Sequence, residues 1–289
     1  MKKSRFQKIV VIGCGTIACD VLRYCKERAE GYALVYIEYA AYPFNAATAY
    51  AARQGIPCIS AREKKEVADY IGNLLEKTLI ISANNTYVFP RNLVEKSNLT
   101  IVNFHNSLLP AYPGMNAASW AIYYGEKQTG ITWHYVSAGI DEGDIIAQMP
   151  CQISPDIKAY ELAQRLMQLG SNTFREIFGN VMQESVQKIT QRPLEDRKLF
   201  LAKTIPGDGK FRLDDAPESI YRLLRAMDYG AREIFPRPKT IYNNQEIEIT
   251  GYQLVDVAKN ACHQEDVLLI PYDGARSLLL HFLPSNMAV

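Results

Sequence analysis

Two polar side chains, Asn103 and His105, end an apolar, strand-like segment and could together support acyl-transfer chemistry. Residues two apart on a strand share one face, so both side chains would point the same way. A third group, Asp141, lies downstream in an acidic turn that contains two glycines. An amide can donate to a developing oxyanion, an imidazole can donate or shuttle a proton, and a carboxylate can orient the imidazole. His105 taken alone is equally compatible with a purely structural histidine.

A second candidate site is the glycine pattern Gly13-x-Gly15-x-x-Ala18, which lies between a strand-like run and a segment of helical spacing. Glu38 closes the next predicted strand, where dinucleotide-binding folds place the acid that binds ribose. This pattern makes a NAD(P)-binding oxidoreductase the alternative interpretation. A tight turn after the first strand would also need glycine for backbone geometry alone, with no nucleotide bound.

Apolar runs alternate with amphipathic helical segments over the first part of the chain. This alternation predicts an α/β fold, with a doubly wound, mostly parallel sheet that binds ligands at the carboxyl ends of its strands. Asn103 and His105 would lie at that edge. The predicted strands are 8–12, 33–38, 57–59, 79–82, 100–104, 131–136 and 145–149, and the predicted helices are 17–29, 46–54, 64–75, 91–96 and 159–182.

Composition changes around residues 191–209, a stretch with Pro, Gly and Asp that we interpret as a linker. It separates a predicted catalytic domain, residues 1–190, from a small β-rich domain, residues 210–289. Within the second domain a helix is expected at 217–227, and Asn243-Asn244 is typical of a hairpin turn between short strands.

Charge and cysteine content exclude several classes of function. The 32 Lys and Arg residues nearly balance the 31 Asp and Glu residues, so the strong positive charge of a nucleic-acid-binding protein is missing. Six scattered cysteines lack zinc-ligand spacing, which predicts reduced thiols, no metal and a cytoplasmic location. No apolar stretch reaches the ~18 residues of a membrane span.

A longer ordered pattern surrounds the first candidate site. It resembles the 10-formyltetrahydrofolate-dependent formyltransferases, which include methionyl-tRNA, glycinamide ribonucleotide and sugar N-formyltransferases. The resemblance covers residues 8–185 and extends weakly to a small barrel-like (OB-like) C-terminal domain. The matching residues are Asn103-x-His105, Ser107-Leu108-Leu109-Pro110, Tyr112, Gly114, Gly130-Ile131-Thr132 and Asp141-x-Gly143.

The resemblance implies formyl transfer from 10-formyltetrahydrofolate to an amine, with Asn103, His105 and Asp141 as the catalytic residues. It also implies that folate is held by the turn after His105, by the segment 83–90 and by the loop that carries Asp141. The folate-binding residues expected on this basis are Ser107, Leu108, Leu109, Pro110, Tyr87, Phe89, Ile140 and Asp144.

The acceptor amine is less defined by sequence. Neither 38–45 nor 111–116 contains Lys or Arg, whereas phosphate binding by an initiator-tRNA formyltransferase calls for such residues. Gly114-Met115-Asn116 and Trp120 are more similar to sugar N-formyltransferases, which suggests a nucleotide-linked amino sugar and a homodimer. A methionyl-tRNA, an amino acid or a peptide stays open as acceptor, as does a non-catalytic folate sensor.

Three further residues are predicted to have structural roles and no catalytic role. His134, on the predicted strand 131–136, is expected to pack or form hydrogen bonds. Arg222 and Arg225 are expected on a solvated face of the helix 217–227, with contact to a phosphate as the alternative.

Overall fold

The computed structural model describes residues 5–28, 30–39, 45–192, 198–256 and 266–284. Residues 193–197 of the predicted linker and residues 40–44 lie outside these ranges. The chain divides into two compact units. Unit 1 comprises Met1–Gly114, Thr129–Cys151 and Gln164–Leu199, and unit 2 comprises Met115–Gln128, Gln152–Ala163 and Phe200–Val289.

Unit 1 is built on a seven-stranded sheet with the order β3-β2-β1-β4-β5-β6-β7. Strands β1 to β5 pair in parallel, while β6 runs antiparallel to β5. The predicted mostly parallel, doubly wound sheet is therefore confirmed. The strands are β1 (Lys8–Gly13), β2 (Ala33–Tyr39), β3 (Cys58–Ala61), β4 (Thr78–Ala83), β5 (Leu99–His105), β6 (Gln128–Tyr135) and β7 (Ile145–Gln152).

Helices begin and end close to the predicted positions. Helix α1 buries its Ile17, Val21, Leu22 and Cys25 side chains, which recur at helical spacing along one face. The capping box that Glu63 and Glu66 form fixes the start of α3. The helices are α1 (Gly15–Glu27), α2 (Ala46–Arg53), α3 (Lys64–Gly72), α4 (Arg91–Val94), α5 (Ala117–Tyr123), α6 (Ala159–Met182) and α7 (Pro217–Met227).

Unit 2 contains a four-stranded antiparallel sheet with the order β10-β11-β9-β8. The apolar face of α7, with Ile220 and Leu224, packs with Ile247 and Leu278 of this sheet. The predicted small β-rich C-terminal sheet is therefore present in the described residues, and its OB-like character stays a prediction. The strands are β8 (Lys239–Tyr242), β9 (Gln245–Asp256), β10 (Val267–Pro271) and β11 (Arg276–Pro284), and a 3-10 helix spans Pro206–Gly209.

The predicted hairpin turn in unit 2 is present between β8 and β9. Asn243 and Asn244 have φ angles of 49° and 59°, and these left-handed conformations suit asparagine and the twist of a two-residue hairpin. The turn sets the register in which Tyr242 pairs with Gln245.

The two units interleave along the chain, whereas the sequence predicted contiguous domains. Helix α5 joins unit 2, where Ser119 Oγ lies 3.0 Å from the Tyr229 hydroxyl. The segment before α6 joins it as well, because Lys158 Nζ lies 2.8 Å from Asp228 Oδ2. Such long-range pairs cannot be recognised from local composition.

The observed position of Arg225 differs from the predicted one. It is only 7% exposed, so it does not lie on a solvated helix face. Its Nη1 donates to the Ile157 carbonyl at 3.0 Å, and its guanidinium carbon lies 4.8 Å from the centre of the Tyr221 ring. Arg225 therefore helps to hold the segment 152–163 within unit 2.

Candidate functional site

The ends of three neighbouring strands in unit 1 carry the polar residues of the first candidate site. Asn103 and His105 lie at the end of β5, as the sequence predicted. The antiparallel register of β6 places His134 opposite Asn103 and Thr132 opposite His105. The His105 side chain is only 5% exposed, so its ring works in a largely water-excluded environment.

Asp141 is brought to His105 by the loop between β6 and β7. The loop returns sharply at Gly143, where an added Cβ would lie 1.8 Å from the Tyr135 carbonyl oxygen. Gln191 Nε2 secures the turn by donating to the Asp141 and Gly143 carbonyls at 3.1 and 2.7 Å. Asp141 itself has a φ of 54°, a left-handed conformation that costs about 1–3 kcal/mol at a non-glycine residue.

His105 and Asp141 form a buried pair. His105 Nδ1 lies 3.4 Å from Asp141 Oδ2, and the same oxygen accepts the backbone N–H of Gly114 at 2.8 Å. His105 Nε2 lies 2.8 Å from the carbonyl oxygen of Tyr112. A carbonyl only accepts, so Nε2 carries a proton. Both ring nitrogens thus face oxygen acceptors, an arrangement suited to the imidazolium.

The electrostatic environment keeps Asp141 ionised. Burial alone would raise the pKa of this carboxyl. Nearby groups, chiefly the charge of His105 and also the N–H of Gly114, outweigh burial, and the pKa is lowered well below its usual range. Asp141 is therefore a fixed negative charge beside His105 at neutral pH.

Asn103 is held between side chains of two other strands. Its Oδ1 accepts the Ser82 hydroxyl at 2.6 Å, and its Nδ2 lies 3.1 Å from His134 Nε2. Sequence reasoning assigned Ser82 no role and left His134 as a packing or hydrogen-bonding residue. The missing signal was the strand register, which places Ser82 on β4 beside Asn103.

The turn expected to contact folate follows His105 directly and is fixed by hydrogen bonds. The Ser107 hydroxyl donates to the Ala111 carbonyl, and Thr132 Oγ1 donates to the Ser107 carbonyl at 2.7 Å. The Leu109 N–H donates to Thr132 Oγ1 at 3.0 Å. The Leu109–Pro110 peptide bond is cis. Leu108 packs against Gly130, where an added Cβ would lie 2.6 Å from its Cδ2.

The segment 83–90 is a folate-binding candidate through its backbone rather than its rings. Tyr87 and Phe89 are 5% and 7% exposed and belong to the hydrophobic core. Their ring centroids lie 5.1 Å apart in an edge-on contact. These two side chains therefore anchor the segment to the hydrophobic core, while Val88 between them is exposed.

The remaining folate candidates lie on either side of Asp141. Ile140 is 38% exposed at the tip of the loop. Asp144 is half-buried and accepts the Tyr135 N–H at 2.9 Å through its backbone carbonyl. Ile140 is thus available for an apolar contact, and Asp144 closes the base of the loop.

The glycine turn after β1 has a cause within the fold. A Cβ added to Gly13 would lie 1.8 Å from the Ala83 carbonyl oxygen on β4, so this position must be glycine for the strands to pair. The Glu38 carboxylate, expected to bind ribose, accepts hydrogen bonds from Thr48 at 2.6 Å, Asn45 at 3.1 Å and Ser60 at 3.4 Å. The pattern that suggested a dinucleotide is accounted for by the chain's own packing.

Among the described residues, no group of three or more His, Cys, Asp or Glu is placed to hold a metal ion. None of the helices in the same ranges is both long enough and apolar enough to cross a membrane.

Sequence comparison finds formyltransferase relatives. A family model described as "Formyl transferase" matches residues 7–177. The methionyl-tRNA formyltransferase of Geobacter metallireducens is 30% identical over 227 residues, which are 78% of this chain and 69% of that protein. Those of Acetivibrio thermocellus and Alkaliphilus oremlandii are 29% and 35% identical over 202 and 194 residues. These matches cover 69% and 64% of this chain, and the chain spans 62% of the length of each of the two relatives.

Solved structures with a similar fold cover the chain more fully. A sugar 3N-formyl transferase studied with dTDP and 5-N-formyl-THF aligns with a TM-score of 0.71 at 19% identity, covering 96% of this chain and 98% of its own. An N-formyltransferase from Helicobacter canadensis, in complex with folinic acid and dTDP-3-aminofucose, gives 0.71 at 18% identity, with coverages of 95% and 99%.

Proposed function

The chain belongs to the formyl transferase family, and we propose that it transfers a formyl group from 10-formyltetrahydrofolate to a primary amine. One observation carries the proposal. The loop after β6 brings the Asp141 carboxylate 3.4 Å from His105 Nδ1, on the strand that also presents Asn103. A buried charge pair beside an oriented amide is suited to stabilising an oxyanion.

The formyl donor follows from the family, whose co-substrate is 10-formyltetrahydrofolate, and from neighbours bound to related folates. The turn Ser107–Pro110, held rigid by Thr132, is the element of this chain that would contact the folate ring. The exposed side chain of Ile140 would close over the opposite face of the ring.

Asn103 and His105 divide the chemistry between them. Asn103 Nδ2 would donate to the formyl oxygen as that atom gains negative charge, and the positive charge of His105 would stabilise the same oxygen. During transfer the attacking amine loses one proton and the folate nitrogen gains one. We assign the transfer of that proton to His105, whose Nε2 would exchange its bond to the Tyr112 carbonyl for the substrate, and Asp141 balances its charge.

For the acceptor we propose a small amine, with a nucleotide-linked amino sugar as the main candidate. Of two solved structures of similar fold, one is described as a sugar 3N-formyl transferase and the other is an N-formyltransferase in complex with dTDP-3-aminofucose. This chain aligns over nearly the full length of both. The described residues 111–116, next to the candidate site, contain no Lys or Arg for a tRNA backbone. Methionyl-tRNA is the second candidate, because the curated relatives are methionyl-tRNA formyltransferases. A homodimer and a cytoplasmic location stay predictions.

The test offers the purified chain 10-formyltetrahydrofolate with one acceptor at a time. The acceptors are dTDP-linked amino sugars, free amino acids, a peptide amine and methionyl-tRNA. Mass spectrometry of each acceptor detects the gain of one formyl group, and absorbance follows the release of tetrahydrofolate. We expect formylation of at least one dTDP-amino sugar at a rate proportional to enzyme concentration.

The outcomes separate the candidate functions. Formylation of methionyl-tRNA alone would replace the amino-sugar proposal while keeping formyl transfer. Folate binding with no formylated product from any acceptor would favour a sensor and contradict the proposed activity.

A further inference from the structure

Three cross-strand neighbours form a row of polar side chains over the sheet of unit 1. Register pairs Ser82 of β4 with Asn103 of β5, and Asn103 with His134 of β6. Ser82 is 1% exposed and His134 is 2% exposed. Buried polar side chains of this kind need hydrogen-bond partners, because a buried donor or acceptor without one costs about 1–3 kcal/mol. The hydrogen bonds within the row therefore restrict the orientation of the Asn103 side chain at its centre.

The direction of each hydrogen bond in the row follows from the atoms involved. His134 Nδ1 lies 2.8 Å from the Tyr135 carbonyl oxygen, which only accepts, so Nδ1 carries a proton. In the neutral ring Nε2 is then an acceptor, and Asn103 Nδ2 donates to it at 3.1 Å. Nε2 also lies 3.5 Å from Asp141 Oδ1, and the Asn103 amide is the closer partner.

The opposite end of the Asn103 amide is fixed in the same way. Ser82 Oγ donates to Asn103 Oδ1 at 2.6 Å, and Asn85 Nδ2 donates to Ser82 Oγ at 3.3 Å. The amide oxygen thus faces β4 and the amide nitrogen faces β6. A flipped amide would turn Oδ1 toward the lone pair of His134 Nε2, which repels it.

We propose that Ser82 and His134 are positioning residues that hold the Asn103 amide with one Nδ2 hydrogen directed at the formyl oxygen. This inference rests on the proposed function. The bond to His134 uses one of the two Nδ2 hydrogens, and the second remains for the substrate. Neither Ser82 nor His134 has to touch the substrate; both act through the orientation of Asn103.

Kinetics distinguish positioning from a general structural effect. Ser82→Ala and His134→Phe each remove one of the two hydrogen bonds that fix the Asn103 amide, so the amide can rotate more easily. We expect kcat to fall about tenfold in each, less than the ~10²-fold loss for Asn103→Ala, with KM for folate changed less than about twofold. His134→Gln, which keeps an acceptor oxygen, should recover part of the loss.

A double-variant cycle provides the decisive comparison. If Ser82 acts through Asn103, then Ser82→Ala in an Asn103→Ala background should lower kcat less than about twofold further, because residues acting as a unit are non-additive. The same tenfold loss in both backgrounds would overturn the proposal. Thermal melts of all variants identify any loss that comes from unfolding.

A second measurement is independent of turnover. The ¹⁵N chemical shifts of His134 report which ring nitrogen carries the proton. We expect a protonated Nδ1 and an unprotonated Nε2, with the Asn103 side-chain amide signals shifting in His134→Phe. A proton on Nε2 would overturn the arrangement. A wild-type chain with the expected spectrum but no formyl transfer would contradict the proposed function, not the positioning of Asn103.

Discussion

Two regions at the same edge of the unit 1 sheet looked like sites in the sequence, and they differ in how their groups are used. Around the glycine turn, Gly13 meets the backbone of Ala83, and Glu38 is engaged by three donors of the chain. Around His105, the chain instead holds a buried charge pair between strand β5 and a loop in which Asp141 has a left-handed conformation. A motif explained by packing needs no ligand, whereas polar groups kept buried and strained call for a functional explanation.

The largest expected effect is at His105. His105→Ala removes the charge that stabilises the oxyanion and the group that moves the proton. We expect kcat for formyl transfer to fall at least ~10³-fold, because both contributions are lost together. Initial rates of tetrahydrofolate release at saturating amine measure this. His281→Ala, at an exposed position in β11, is the matched control and should retain the wild-type rate.

The next effect concerns the glycine turn and is one of stability. Gly13→Ala forces a Cβ against the Ala83 carbonyl, and we expect the free energy of unfolding to fall by about 3 kcal/mol. Urea unfolding measures the change. Gly179→Ala, in helix α6 with nothing within 4 Å of the new Cβ, should raise stability by about 0.5–1 kcal/mol. Equal stability of Gly13→Ala and wild type would mean that the turn is not packed as described.

The sequence predicted most elements of unit 1 because buried β-branched runs and amphipathic helices leave clear local patterns. Period-two spacing was enough to place Asn103 and His105 on one face of β5. Asp141 was a candidate from its acidic turn, and the resemblance supported it, but nothing local shows where a loop will return.

Other features depend on distant segments and were out of reach. The contacts of Ser82 and His134 with Asn103 follow from the register of three strands. Arg225 is buried by the Ile157 carbonyl and the Tyr221 ring. In each case the partner is chosen by tertiary packing, which local spacing does not encode.

Acid titration gives a smaller effect, located at Asp141. The folded-state pKa of this carboxyl is lowered, so as pH falls the unfolded chain takes up the proton first. The stabilisation by the carboxylate is complete above about pH 5 and declines as pH passes below about 4, near the ordinary Asp value. The difference in unfolding free energy between wild type and Asp141→Asn should therefore shrink from pH 5 to about pH 3. A constant difference over this window would contradict the assignment.

The smallest effect is expected at Glu38. Glu38→Gln keeps one acceptor oxygen for its donors and should change kcat less than about twofold, with about 1 kcal/mol lost in stability. Thermal melts with NAD or NADP should show no shift for wild type, whereas a formyl folate should raise the melting temperature. Protection by a dinucleotide that Glu38→Gln abolishes would restore the oxidoreductase interpretation.

A crystal structure of the chain with 5-formyltetrahydrofolate would test the central claim most directly. We predict the folate ring against the turn Ser107–Pro110 and the formyl oxygen about 3 Å from Asn103 Nδ2, the length of a hydrogen bond. A folate bound elsewhere, with the Asn103, His105 and Asp141 side chains remote from its formyl group, would contradict it.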